Sequence, residues 1–130
     1  MPDTAASRTV LIVDDEALIR RILEDILTSH GFACRTARNG REALEACEAS
    51  PPDLILLDIM MPEMDGIETC RRLKTTPAWA AIPVIALTAL DNPGTVLRMQ
   101  EAGSLMYLTK PIPPDRLLAA VQLALEPPNP

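Results

Sequence analysis

Leu54, Ile55, Leu56 and Leu57 run without a polar interruption into Asp58. Four consecutive apolar residues with no alternation describe a strand covered on both faces, as in the centre of a parallel sheet. A carboxylate that closes such a strand falls on the edge where open α/β sheets build their sites. The residues that follow, 59–66, read as a loop. Pro62 stiffens it, and Gly66 permits a backbone conformation that other residues resist.

The rest of the chain repeats that theme. Thr9–Val13 is a short apolar run closed by Asp14, Asp15 and Glu16. Ile19, Ile22, Leu23, Ile26 and Leu27 recur at helical spacing, and Gly31 stops that helix. Phe32–Thr36 reads as a weaker strand, residues 38–40 as a turn, and Glu42–Ala49 as a second helix ended by Pro51 and Pro52. The central strand comes next, and a third helix covers Ile67–Lys74. Pro77 and Pro83 bracket a loop carrying Trp79. Val84–Leu87 is a fourth strand with Thr88 at its end, and Asn92 and Pro93 suit the start of a fourth helix that Gly103 ends. Leu105–Thr109 is a fifth strand closed by Lys110 and Pro111, and Leu117, Leu118, Val121 and Leu125 mark a last helix. Strands alternating with helices predict an α/β fold with a five-stranded parallel sheet, doubly wound, in the order 2-1-3-4-5.

A length of 130 residues suits one core rather than two. With one Trp, one Tyr and one Phe, that core must be aliphatic. A net charge of -6 argues against direct nucleic-acid binding, which needs a basic face. No stretch is long or apolar enough to span a membrane, and a cytoplasmic setting is expected. Cys34, Cys47 and Cys70 are widely spaced and odd in number, and read as small hydrophobes in a reducing compartment. Arg20–Arg21 and Arg71–Arg72 read as solvated helix faces.

A parallel sheet brings the carboxyl ends of strands 1, 3, 4 and 5 to one edge, and with them Asp14, Asp15, Asp58, Thr88 and Lys110. Singly, each has a plain structural reading as a cap, a turn residue, a buried hydroxyl or a surface lysine. Together they supply complementary chemistry from independent strands. Clustered carboxylates raise one another's pKa unless a cation joins them. Oxygen ligands without His or thiolate favour Mg²⁺, or Mn²⁺, over zinc. Three carboxylates, a lysine and such an ion are close to neutral and can admit a phosphoryl donor. A carboxylate could attack phosphorus and, being ionised at neutral pH, would need no general base.

Val13–Glu16, Leu57–Pro62, Met64–Gly66, Leu87–Ala89 and Tyr107–Pro111 together resemble the receiver domain of two-component response regulators, a CheY-like, flavodoxin-like fold. The match covers residues 9–126, flanked by a flexible stretch 1–8 and a Pro-rich tail 127–130. The resemblance implies that Asp58 is the phosphoacceptor, taking its phosphoryl group from a phosphohistidine of a sensor histidine kinase or histidine phosphotransfer protein. It implies that Asp15 binds Mg²⁺ directly, Asp14 mainly through water, and that Asp58 and the Met60 carbonyl complete the protein ligands. Lys110 would pair with the phosphoryl group and precede a cis bond to Pro111. Thr88 would donate its hydroxyl to that group while Tyr107 swings inward. The fourth helix, fifth strand and fifth helix would then offer a changed face to a downstream target, an effector domain or a second copy. Such a module is not a turnover enzyme beyond Mg²⁺-dependent self-phosphorylation and self-dephosphorylation.

Three features depart from the family's common pattern. Met60 and Leu90, two residues after Asp58 and Thr88, are apolar where they would flank the phosphoryl group, and are expected to shield it from water. Leu105 and Met106 precede the switch aromatic, either starting the strand or adding an apolar patch to the output face. Residues 91–94 leave the start of the fourth helix open. The alternatives are a scaffold receiver that works without phosphorylation and a phosphohydrolase of the haloacid-dehalogenase type. The latter wants Asp-x-Asp after the first strand, where this chain has Asp14, Asp15 and Glu16.

Overall fold

The structure, a computed structural model, describes residues 8–61, 64–89 and 93–126. Its elements are β1 (Thr9–Val13), α1 (Ala17–Thr28), β2 (Ala33–Ala37), α2 (Gly40–Ala49), β3 (Leu54–Asp58), α3 (Gly66–Thr75), β4 (Val84–Thr88), α4 (Pro93–Glu101), β5 (Met106–Thr109) and α5 (Pro114–Leu125). All strand pairs are parallel, in the order β2-β1-β3-β4-β5. β3 is buried along its whole length, as its unbroken apolar run requires.

Because successive strand residues point to opposite faces, one run fills two cores. Leu11, Val13, Ile55 and Leu57 pack with Ala43 and Cys47 of α2, Cys70 and Leu73 of α3 and Met99 of α4. Val10, Ile12, Leu54 and Leu56 pack with Leu23 and Leu27 of α1 and Leu117 and Val121 of α5. The three cysteines are free, two of them buried and Cys34 half-buried, and burial pushes the Cys34 and Cys70 thiols up to about 11. Among the described residues no helix is long and apolar enough to cross a membrane.

Several boundaries differ from expectation, each for a local reason. β2 begins one residue later, because Phe32 closes the turn that follows α1: its N–H donates to the Leu27 carbonyl at 3.1 Å around Gly31, whose φ is 91°. α2 begins at Gly40 rather than Glu42, because Asn39 is an N-cap whose side chain accepts from the Glu42 N–H at 2.8 Å. Asp65 caps α3 in the same way, at 2.9 Å from the Glu68 N–H. β5 starts at Met106, and Leu105 is exposed while Met106 packs against the α1–α5 core. On α1 the apolar stripe is only partly core, since Leu23 and Leu27 are buried but Leu18 and Ile22 are exposed. The expectations for Pro62, Leu90, Asn92 and the tail 127–130 lie outside the described residues.

Candidate functional site

Register sets the site. Val13 is opposite Leu57 and Asp58 is opposite Leu87, so Asp14, Asp58 and Thr88 leave three neighbouring strands at one edge. Thr88 is opposite Thr109, and the Lys110 N–H donates to the Thr88 carbonyl at 2.7 Å, which brings Lys110 in from β5. The Lys110–Pro111 peptide is cis.

Asp14, Asp58 and Thr88 are all buried there, and the Lys110 side chain is 11% exposed. Lys110 Nζ lies 2.6 Å from Asp14 Oδ2 and 3.5 Å from Asp58 Oδ1. Burial alone would pull the Lys110 pKa down; the Asp14 and Asp58 carboxylates outweigh it and hold the ammonium above its ordinary value. Asp14 Oδ2 is fully buried and has the Lys110 ammonium as its close partner. Its other oxygen, Oδ1, accepts from the Glu16 N–H at 2.9 Å.

Asp58 differs from the sequence expectation. Burial, then the Asp14 charge, push its pKa up to about 7; Lys110 and the Met60 N–H, at 3.3 Å from Oδ1, pull the other way, and Asp15 adds to the rise. Desolvation therefore works against the charge of Asp58 in the free site, where the sequence suggested an ordinary ionised carboxylate.

Gly66 is needed for space rather than for an unusual φ. A Cβ there would collide with the Asp58 carbonyl oxygen and come within 2.8 Å of the Ile59 Cα. Its N–H donates to the Ile59 carbonyl at 2.9 Å, folding the loop back onto the end of β3. Met60 sits on that loop, 66% exposed, and Tyr107 on β5 is 41% exposed.

Two residues escaped the sequence reading. Glu16 joins Asp14 and Asp15 in a group whose carboxylate oxygens lie within 4.8 Å of one another. Arg20 is not solvated helix face: it is half-buried, and its Nη1 donates to the Asp14 carbonyl at 2.7 Å. Arg21 is the exposed one, 3.9 Å from Asp25. A basic residue six positions after Asp14 is a faint signal, visible only once the helix folds back. The all-oxygen donor set, with the buried Asp14 carboxylate among it, and the raised Asp58 together fit a hard divalent cation.

The family described as the response regulator receiver domain matches residues 10–122. The response regulator PleD of Caulobacter vibrioides is 43% identical over 116 residues, which cover 89% of this chain but 26% of that protein. Among solved structures, the chemotaxis protein CheY4 of Vibrio cholerae superposes with a TM-score of 0.87 at 31% identity, covering 91% of this chain and 98% of that one. The signal receiver domain of a signal transduction histidine kinase from Syntrophus aciditrophicus is 41% identical, with a TM-score of 0.85 and coverage of 91% and 89%.

Proposed function

Since the chain belongs to the response regulator receiver domain family, we propose that it accepts a phosphoryl group on Asp58 from a phosphohistidine of a sensor histidine kinase or histidine phosphotransfer protein. The observation that carries this reading is the shared ammonium: Lys110 Nζ stands 2.6 Å from Asp14 and 3.5 Å from Asp58 at the carboxyl edge of the sheet. Carboxylates that crowd one buried edge create a demand for positive charge that one lysine meets only in part.

Asp14, Asp15, Asp58 and the Met60 carbonyl are the groups that would hold a Mg²⁺ or Mn²⁺ ion. When bound, it supplies charge that lowers the Asp58 pKa and offsets charge on the phosphoryl oxygens. An Asp58 oxygen then forms the O–P bond as the P–N bond of the donor breaks, and the bonding pair stays on the imidazole nitrogen. Lys110 moves its attention from Asp14 to a phosphoryl oxygen, an exchange of one charged acceptor for another. Thr88, buried at the end of β4, donates its hydroxyl to a second oxygen. Tyr107 turns from its half-exposed position as Thr88 is drawn in, and the α4–β5–α5 face changes. Leu97 on α4, Tyr107 on β5 and Leu105 just before β5 are exposed, an apolar surface for an effector domain, a target protein or a second copy. Unchanged partner affinity and solution mass in Leu105→Asp would count against that use of the face. The free thiols suit a cytoplasmic setting.

Intact mass after incubation with acetyl phosphate, with and without Mg²⁺, tests the function. One phosphoryl group gained only with Mg²⁺, labile to hydroxylamine and absent from Asp58→Asn, is the expected result. No gain in a protein that still binds Mg²⁺ would overturn it in favour of a phosphorylation-independent scaffold.

A further inference from the structure

Arg20 has no part in the transfer described above, yet it grips the main chain of Asp14. That main chain is held at both ends. The Asp14 N–H donates to the Ala37 carbonyl at the end of β2, at 3.1 Å, and the Asp14 carbonyl accepts from Arg20 Nη1 at 2.7 Å. Arg20 is itself fixed by its N–H, which donates to the Glu16 carbonyl at 3.1 Å. Residues 14–20 are thus closed into a ring by a charged donor that reaches back from the helix the acidic turn precedes.

We infer that Arg20 is a positioning residue that holds the Asp14–Glu16 turn in the geometry in which Asp14 and Asp15 can serve one cation; this rests on the function proposed above. Three carboxylates whose oxygens lie within 4.8 Å repel one another, and an unclamped turn would relieve that repulsion by opening. A guanidinium on the Asp14 carbonyl opposes opening before any cation arrives, and groups that orient ligands govern metal affinity. Arg38 is no substitute. Its Nε is 2.8 Å from Glu42 Oε2, and its N–H donates to Oε1 of the same carboxylate at 3.0 Å. Arg20 lines an open cleft of about 230 Å³ with Thr36, Ala37, Arg38 and Glu42. Shortening Arg20 therefore widens a solvent-open cleft and leaves no void in either core.

Charge and positioning make opposite demands on the test. Removing a positive charge beside an acidic site should tighten cation binding by simple attraction, whereas removing the clamp should weaken it. Mg²⁺ titration calorimetry on wild type, Arg20→Met and Arg20→Lys separates them. Arg20→Met should bind Mg²⁺ about tenfold more weakly, with Arg20→Lys between the two. In the metal-free protein, amide exchange at Glu16 should be faster in Arg20→Met. Equal or tighter Mg²⁺ binding by a folded Arg20→Met overturns the inference and leaves the proposed function standing. If Arg20→Met does not fold, Arg20→Lys decides, since wild-type affinity in it overturns the inference. Absence of Mg²⁺ binding by the wild type overturns both.

Discussion

Lys74 and Lys110 are both half-buried, and they behave in opposite ways. Lys74, on α3, donates to the carbonyls of Ala80 and Ile82 at 3.1 and 2.6 Å, and burial pulls its pKa down. Lys110, after β5, faces two carboxylates, which hold its pKa up against the same burial. Neutral dipoles can satisfy the geometry of an ammonium without compensating the cost of desolvating its charge; full opposite charges can. Lys74 therefore ties a loop to a helix, whereas Lys110 belongs to a group of charges that a new anion can rearrange. Lys74 is held by neutral dipoles in a fixed arrangement, whereas Lys110 is shared between two carboxylates and can exchange one anionic partner for another.

The largest effect expected from breaking that contrast is Lys110→Met. It leaves the buried Asp14 carboxylate without its cation, and should cost about 3 kcal/mol in urea unfolding at pH 8 while sharply reducing phosphoryl uptake. Asp58→Asn should act in the other direction. The Asp58 pKa is raised in the fold to about 7 from an ordinary carboxylate value, so its charge opposes folding increasingly as pH rises from about 4 through 7. Metal-free Asp58→Asn should be more stable than wild type by on the order of 2–4 kcal/mol at pH 8, the gain vanishing below pH 4. An equal gain at both pH values would show that ionisation is not its cause.

Gly66→Ala presses on backbone rather than on a flexible side chain, and a cost of about 2 kcal/mol in thermal unfolding is expected, with weaker Mg²⁺ binding. Lys74→Met should cost about 1 kcal/mol and leave phosphoryl uptake unchanged, the counterpart of Lys110. Met60→Asn should hardly alter stability, since Met60 is exposed, but should shorten the phosphorylated lifetime severalfold by admitting water. An unchanged dephosphorylation rate would remove the shielding role.

The number of strands and the location of Asp58 were legible in the chain because their causes are local, while the order 2-1-3-4-5 was expected only as the usual arrangement of five βα units. An unbroken apolar run must be covered on both faces, and Gly31 and Gly103 announce helix ends, with φ of 91° and 113°. The motifs around Asp14, Asp58, Thr88 and Lys110 identified the edge. Cap residues were less legible: Asn39 looked like part of a turn, and its role needed the backbone to curl so that the Glu42 N–H could reach it.

Other properties belong to the tertiary structure alone. The pKa of Asp58 is pushed up by burial and by Asp14, which follows β1, 44 residues away in the chain, and is brought near by the pairing of β1 with β3. Arg20 and Arg21 are adjacent and chemically identical, yet one clamps the Asp14 carbonyl and the other faces solvent, because a helix turns successive residues about 100° apart. Gly66 is required by the nearness of Asp58 and Ile59 rather than by its own φ. Sequence patterning determined which segments must be buried and as which kind of element. Desolvation, charge proximity and steric approach, which sum over residues distant in the chain, were decided only when the sheet assembled.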